Sequence, residues 1–485
     1  MTFLDPALWT GKVYIDGWAD GAGEALEIRE ASTGDSLGIL GTASVAQARQ
    51  ASSSAAAAQH YWAGLRPADR AAVLRRAGDL FEAHGAEIEE WIVRESGGTP
   101  AKGAREVQAA AAECYEAAGL PSHPHGNVLT SNQDRWSFAR RRPAGVVTVI
   151  APFNFPLTLS IRSVAPALAL GNSVLLKPDP RTSVSGGVVL ARIFEEAGLP
   201  SGVLQLLPGG ADVGEAVVVA PEVRIISFTG STAAGRRVGE AAAKHLKRAH
   251  LELGGNNAIV VLPGADVALA ASAGAYGSFV HQGQICMATG RHLVHLDLYE
   301  EYVAALSAKA DALIVGDPYL QKVHLGPIID ERQLKAIDAM VQSSIMAGAT
   351  VRAGATHAGP YYRPTVLSDI TREMPVWREE TFGPIAPVLP FSTLEQAAEL
   401  VNEGDYGLSV GILGGVGNAM KLADMINTGK VHINEQTVSD EANAPFGGMG
   451  ASGTGSRFGG AEANIEAFTE TQWLTMRPDI ETYPF

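Results

Sequence analysis

The sequence predicts an α/β protein built on two doubly wound domains. Three observations predict it. From Gly145 onward, short β-branched runs alternate with helical stretches, the pattern of a parallel sheet covered on both faces. The same alternation starts again after Glu252. The 485 residues exceed what one simple core holds, so two or three domains are expected.

Taken in order, residues 1–45 hold short strand-like pieces separated by Gly and Asp turns. Residues 44–119 read as helical. The 51–58 stretch is alanine-rich, which is helix propensity rather than low complexity, and Leu74, Leu80, Phe81, Ile88, Ile92 and Val93 recur at roughly helical spacing. Cys114 sits in such a run with no partner to activate it, so it reads as packing. Pro121 to Gly126 breaks the helix. His123 and His125 within it lack the second ligand cluster a metal site needs, so no metal is expected. Residues 135–142 alternate as a strand, and their four arginines fit a solvated strand or a subunit contact better than an anion patch.

The first α/β alternation runs strand 146–150, helix from Ser163 to Leu170, strand 173–178, helix 184–198, strand 203–207, another helix and strand 224–228. In the second, a strand at 257–262 is followed by helices near 266–282 and 299–313. Strand signals return at 348–351 and 386–389, with a helix at 394–401. Residues 446–460 are a glycine-rich loop, and 469–476 a closing strand. Ligands in such sheets bind at the carboxyl ends of strands. Asn154, Lys177, Gly209, Gly210 and the turn at Thr229-Gly230-Ser231 fall there.

Composition excludes several functions. With 46% hydrophobic and 18% charged residues, disorder is not expected. A net charge of −15 argues against nucleic acid, whose phosphates need basic surface. The longest apolar stretch, 146–176, is broken by Pro152, Pro156, Arg162 and Pro166, so no membrane span is expected. Two cysteines make no disulfide framework, and no signal peptide is apparent at the N-terminus. The cytoplasm is the expected compartment.

The chemistry centres on Phe279 to Arg291. Cys286 lies directly after Gly283-Gln284-Ile285, where glycine lets backbone approach closely. A lone cysteine on such a turn is a candidate nucleophile. It equally fits a small buried hydrophobe, the common fate of a free thiol.

Seven motifs stand in order: Ala151-Pro152-Phe153-Asn154, Leu176-Lys177-Pro178, Phe228-Thr229-Gly230-Ser231, Leu251-Glu252-Leu253-Gly254, Gly283-Gln284-Ile285-Cys286, Glu379-Glu380-Thr381-Phe382, and Pro445-Phe446-Gly447-Gly448. Each alone is weak. Together, over residues 10–476, the chain resembles the aldehyde dehydrogenase superfamily. The stretches around Leu159, Lys177 and Cys286 look most like its benzaldehyde and vanillin dehydrogenases.

The resemblance implies a dinucleotide-binding domain (1–122 and 143–251), a catalytic domain (252–450), and a small β oligomerisation arm (123–142 and 467–485). At least a homodimer is expected. It further implies oxidation of an aldehyde to the acid. Cys286 adds to the carbonyl, and the Asn154 amide with the Cys286 backbone N–H receives the oxyanion. Losing one such donor typically costs ~100- to 1000-fold. Glu252 is implied as the base for hydrolysing the thioester. Alone, Asn154 reads as a turn residue before Pro156, and Glu252 as a charge confined by Leu251, Leu253 and two glycines.

For an NAD cofactor, the resemblance implies Ala151, Pro152, Phe153, Lys177, Gly210, Phe228, Thr229, Gly230, Ser231, Leu253, Glu380 and Phe382. Lys177 would hold the adenosine ribose, Glu380 the nicotinamide ribose. The pyrophosphate would meet the helix after Ser231, a position where Ser231 also serves as a helix cap.

Two departures stand out. Where many NAD-selective relatives carry Glu three residues after the lysine, this chain has Pro180, followed by Arg181, so NADP should be tolerated. Arg457 stands where some relatives place a second glutamate, so a proton relay there is not expected. Phe155, Leu159, Arg162 and Ile285 are implied substrate contacts, with Met287, Val438 and Phe446. These walls suit an aryl aldehyde. Arg162 either attracts a substrate anion or pairs with a carboxylate. A semialdehyde or aliphatic aldehyde is the alternative substrate class. A CoA-acylating enzyme is disfavoured by Glu252, and a non-catalytic binding protein by the intact trio.

Overall fold

A computed structural model describes residues 2–485. Two seven-stranded sheets form its frame. The first contains β1 (Lys12–Tyr14), β2 (Trp18–Asp20), β3 (Val146–Ile150), β4 (Ser173–Lys177), β5 (Leu204–Leu206), β6 (Val223–Thr229) and β7 (Arg248–Glu252), in spatial order β7-β6-β3-β4-β5-β1-β2. The pairs from β7 to β5 are parallel, and β1 and β2 close the edge antiparallel. Strands β3, β4 and β5 are almost wholly buried. That explains their continuous apolar runs, since helices cover both faces.

The second sheet contains β8 (Asn257–Val261), β9 (Thr289–His295), β10 (Thr350–Ala353), β11 (Thr365–Ser368), β12 (Ile385–Phe391), β13 (Ser409–Leu413) and β14 (Lys430–Ile433). Its order is β10-β11-β12-β9-β8-β13-β14, parallel except at the β10 edge. Glu252 ends the first sheet and Asn257 opens the second, so the turn between them is short. Residues 451–468 return to the first unit: Leu253 N–H donates to Ser452 O, and Phe458 and Phe468 join the first core.

A third sheet pairs Trp136–Pro143 with both Gly126–Val128 and Thr469–Met476. Its apolar side chains are uncovered: Trp136 is 61% and Trp473 65% exposed.

Several elements differ from the sequence reading. The helix read at 184–198 begins as a π-turn, Val184–Val188, whose first N–H groups, Val184 and Ser185, donate to Glu95. The helix read at 266–282 ends at Phe279, where a kinked turn begins. The helices Glu331–Met346 and Ala461–Phe468, and strands β13 and β14, add to the elements read from the sequence. Among the described residues no helix is long and apolar enough to cross a membrane, and no group of three or more His, Cys, Asp or Glu could hold a metal.

Candidate active site

Cys286 is delivered by a strained turn. After the helix Val267–Phe279, three consecutive residues are left-handed: His281 at φ 48°, Gln282 at 56° and Gly283 at 67°. For non-glycine residues this costs of order 1–3 kcal/mol each and persists only where neighbours enforce it. They do. Gln282 Nε2 donates to Gly97 O at 2.9 Å and to Pro327 O at 2.8 Å. Gln284 Oε1 accepts from Ile329 N–H at 3.1 Å. A Cβ at Gly283 would lie 2.1 Å from Gly383 O, which is why glycine stands there. Burial pushes the Cys286 thiol up to about 12, with help from Glu380 and against the pull of Lys430. The resting sulfur is a thiol.

Asn154 follows β3 and is only 3% exposed. Its Nδ2 donates to Gln284 O at 2.9 Å, two residues before Cys286, which leaves its second N–H uncommitted. The Cys286 N–H finds no backbone acceptor among the described residues. The loop is braced by the helix Pro156–Ala169, which opens on a proline, a natural first residue. Glu106 accepts from Leu157 and Thr158 N–H there, each at 3.1 Å, and pairs with Lys102 at 2.5 Å.

One cavity of ≈ 1510 Å³ is lined by Asn154, Cys286 and all seven expected substrate contacts: Phe155, Leu159, Arg162, Ile285, Met287, Val438 and Phe446. Arg162 is not free in it. The guanidinium pairs with Glu113, at 3.3 Å, and with Asp440, and lies 4.7 Å from the Phe446 ring centre. Carboxylates hold two of its nitrogens, and its Nη1 is buried without a partner.

Glu252 sits behind this wall at the end of β7, 3% exposed. Its Oε2 accepts from Gly448 N–H at 3.3 Å, while Oε1 is buried without a partner. Burial raises it to about 8, opposed by the Gly448 N–H, Arg457, Arg162 and Lys430. Arg457 Nη1 donates to Gly448 O at 3.2 Å, so it braces the residue that holds Glu252.

The profile of the Aldehyde dehydrogenase family matches residues 18–474. The chain belongs to the aldehyde dehydrogenase family. It is therefore an aldehyde-oxidising oxidoreductase that works with a nicotinamide cofactor. A vanillin dehydrogenase from Amycolatopsis sp. is 60% identical over the whole of both chains. A benzaldehyde dehydrogenase [NAD(+)] from Pseudomonas putida is 47% identical, covering 99% of this chain and 98% of its own. The crystal structure of a salicylaldehyde dehydrogenase from Pseudomonas putida G7 complexed with salicylaldehyde superposes with a TM-score of 0.94 at 34% identity, covering 98% and 99%.

The residues expected to hold an aldehyde dehydrogenase cofactor gather at the carboxyl ends of β3 to β6. Ala151, Pro152 and Phe153 follow β3, Lys177 ends β4, and Gly210 caps the helix Ala211–Val219. Phe228 and Thr229 end β6, and Ser231 caps the helix Thr232–Lys244 by accepting from Ala234 N–H at 3.4 Å. Gly230 N–H donates to Glu252 O. A Cβ at Gly235 would meet Leu253 at 2.2 Å, so Leu253 lies over that helix's first turn. Glu380 Oε1 accepts from Gly255 N–H at 3.0 Å, and a Cβ at Gly254 would fall 2.0 Å from Oε2. Burial raises Glu380 to about 7. The Phe153 and Phe382 rings meet edge-on at 5.9 Å.

A nicotinamide dinucleotide fits these residues. The buried Lys177 ammonium reaches only Pro178 O, at 3.5 Å, and so lacks a good acceptor. Three residues of this site escaped sequence reasoning: Glu113, Lys430 and Asp440. Only Lys430 had a signal, and a weak one, a cation heading the short strand-like run Val431-His432-Ile433.

Proposed function

We propose that the enzyme oxidises aromatic aldehydes to carboxylic acids with NAD. The observation that carries this reading is the cavity. An aromatic and aliphatic wall, with Phe155 and Phe446 in it, ends on Cys286 and Asn154. Flat apolar walls favour a planar aryl group. The related vanillin, benzaldehyde and salicylaldehyde dehydrogenases support it.

In this reading the Cys286 proton passes to solvent water and the sulfur adds to the carbonyl carbon. The oxyanion is received by the free Asn154 N–H and the Cys286 backbone N–H. When bound, the cofactor supplies the hydride acceptor. The resulting Cys286 thioester is opened by water. Glu252 takes the water proton, the acid departs and the thiol is restored. Glu380 and Phe382 hold the nicotinamide end of the cleft, Lys177 the adenosine ribose.

Steady-state kinetics over benzaldehyde, vanillin, succinic semialdehyde and propanal test the substrate class. The aryl aldehydes should lead propanal in kcat/KM by about 100-fold, the scale a hydrophobic pocket reaches. Equal use of succinic semialdehyde or propanal overturns the reading.

NAD is favoured over NADP for an electrostatic reason. Arg181, the cation expected to tolerate a 2′-phosphate, is consumed. Asp179 holds it at 2.9 and 2.8 Å and Asp330 at 2.6 Å, and it stacks 4.1 Å over Phe153. Lys177 instead faces Asp179 and Asp212. The kcat/KM ratio should favour NAD by between roughly 10- and 1000-fold, the upper bound being about 4 kcal/mol. A ratio above that bound removes NADP tolerance, and a reversed ratio removes the NAD preference.

The uncovered sheet carrying Trp136 and Trp473 fits a homo-oligomer, at least a dimer. Two free thiols, one fully buried, fit the cytoplasm.

A further inference from the structure

Lys430 opens β14 and points back under the cysteine loop. Its Nζ donates to Ser439 O at 2.8 Å and to Met287 Sδ at 2.8 Å, and lies 4.6 Å from the Phe446 ring centre. Met287 is the residue after Cys286, and Phe446 packs in the same apolar cluster as the thiol. All three contacts are neutral. None of the ion pairs among the described residues includes Lys430, and the neighbouring Asp440 is taken by Arg162. An ammonium half-buried with no carboxylate in ion-pair contact is costly unless a negative charge forms beside it.

The other ionisable groups facing Cys286 are acids. Glu380 comes from the segment before β12, Glu252 from the end of β7, and Asp440 from the loop after β14. Each disfavours a thiolate. His281, on the cysteine's own turn, is held neutral by burial and by Lys102. Arg162 is already matched by two carboxylates. Only Lys430 is left to offset a negative sulfur.

We propose that Lys430 is a positioning residue for charge: its unpaired ammonium is the counter-ion that lets Cys286 become a thiolate in a site otherwise faced by acids. This rests on the reading of Cys286 as the nucleophile. The ammonium does not touch the substrate or the reacting atoms. It acts through the field it places on the sulfur, and low surrounding polarity makes that field strong.

The test is the pH dependence of Cys286 alkylation by iodoacetamide, followed by peptide mass spectrometry in the wild type, Lys430→Met, Lys430→Gln and Lys430→Arg. In Lys430→Met and Lys430→Gln, alkylation at pH 8 should fall about tenfold and its midpoint should move up by about one pH unit. Lys430→Arg should keep the wild-type midpoint. A merely structural lysine would lower the melting temperature and leave the midpoint in place. That outcome overturns the inference, as does a downward shift. If Lys430→Met fails to fold, Lys430→Gln decides, because its amide can still donate to Ser439 O. Failure of wild-type Cys286 to alkylate at any pH overturns the nucleophile reading itself, an outcome distinct from an unmoved midpoint.

Discussion

Replacing Cys286 by alanine should leave a protein that still binds its nicotinamide cofactor and oxidises no aldehyde. The substitution removes the sulfur that sits beside Asn154 in the cavity and would add to the carbonyl carbon, and hydride does not leave an sp² aldehyde unaided. The expected fall in kcat is at least ~10⁴-fold, the scale on which removal of a nucleophile is felt. The NAD dissociation constant, read by fluorescence titration, should stay within about threefold, because Lys177, Ser231 and Glu380 are untouched. Turnover within tenfold of wild type would place the nucleophile elsewhere. Cys114 is a poor substitute, since it is fully buried in the first core and burial holds its thiol well above the usual range.

Glu252→Gln should separate the two halves of the reaction. Thioester formation draws on Cys286 and Asn154, so one equivalent of NADH should form in a burst. Hydrolysis then stalls, and steady-state turnover should fall ~10²- to 10⁴-fold, the usual worth of a positioned base. The wild-type pH profile carries the same signature. Glu252 is raised to about 8 by burial, so below that pH it is mostly protonated and cannot accept a proton from water. When hydrolysis limits the rate, kcat should rise with pH up to about 8 and level off above it. The glutamine variant should lose that limb. A variant with no burst, or with an intact acid limb, removes Glu252 from the hydrolytic step. The same assay without added CoA separates hydrolysis from acyl transfer to CoA, which would need the thiol to turn over.

What the sequence disclosed follows from what local chemistry can encode. Strands β3 and β4 were visible because a buried parallel strand must be apolar throughout. The closing strand Thr469–Met476 is rich in Thr and carries Trp473, residue types that favour strands. Asn154, Cys286, Ile285 and Phe446 are legible because they stand in short, ordered motifs, whereas Val438 stands in none and enters through the family resemblance alone. Arg181 shows the limit. Its position suggested a phosphate contact, but Asp330, 149 positions away, sets where its guanidinium goes. Lys430 shows the same limit from the other side. Heading a short strand-like run is a weak mark, and its meaning comes from Met287 and Phe446, which only folding brings to it. Long-range charge pairing is what a linear pattern leaves out.

The Gln282 amide has a consequence for how the molecule tolerates change. One NH₂ group spans the end of the helix Gly85–Ser96 and the segment before Glu331–Met346, with the reactive loop hung from it. The sulfur's location is therefore held jointly by two distant parts of the chain. Drift at either anchor, far from any aldehyde, should be transmitted to the thiol as misalignment rather than dissipated as local slack.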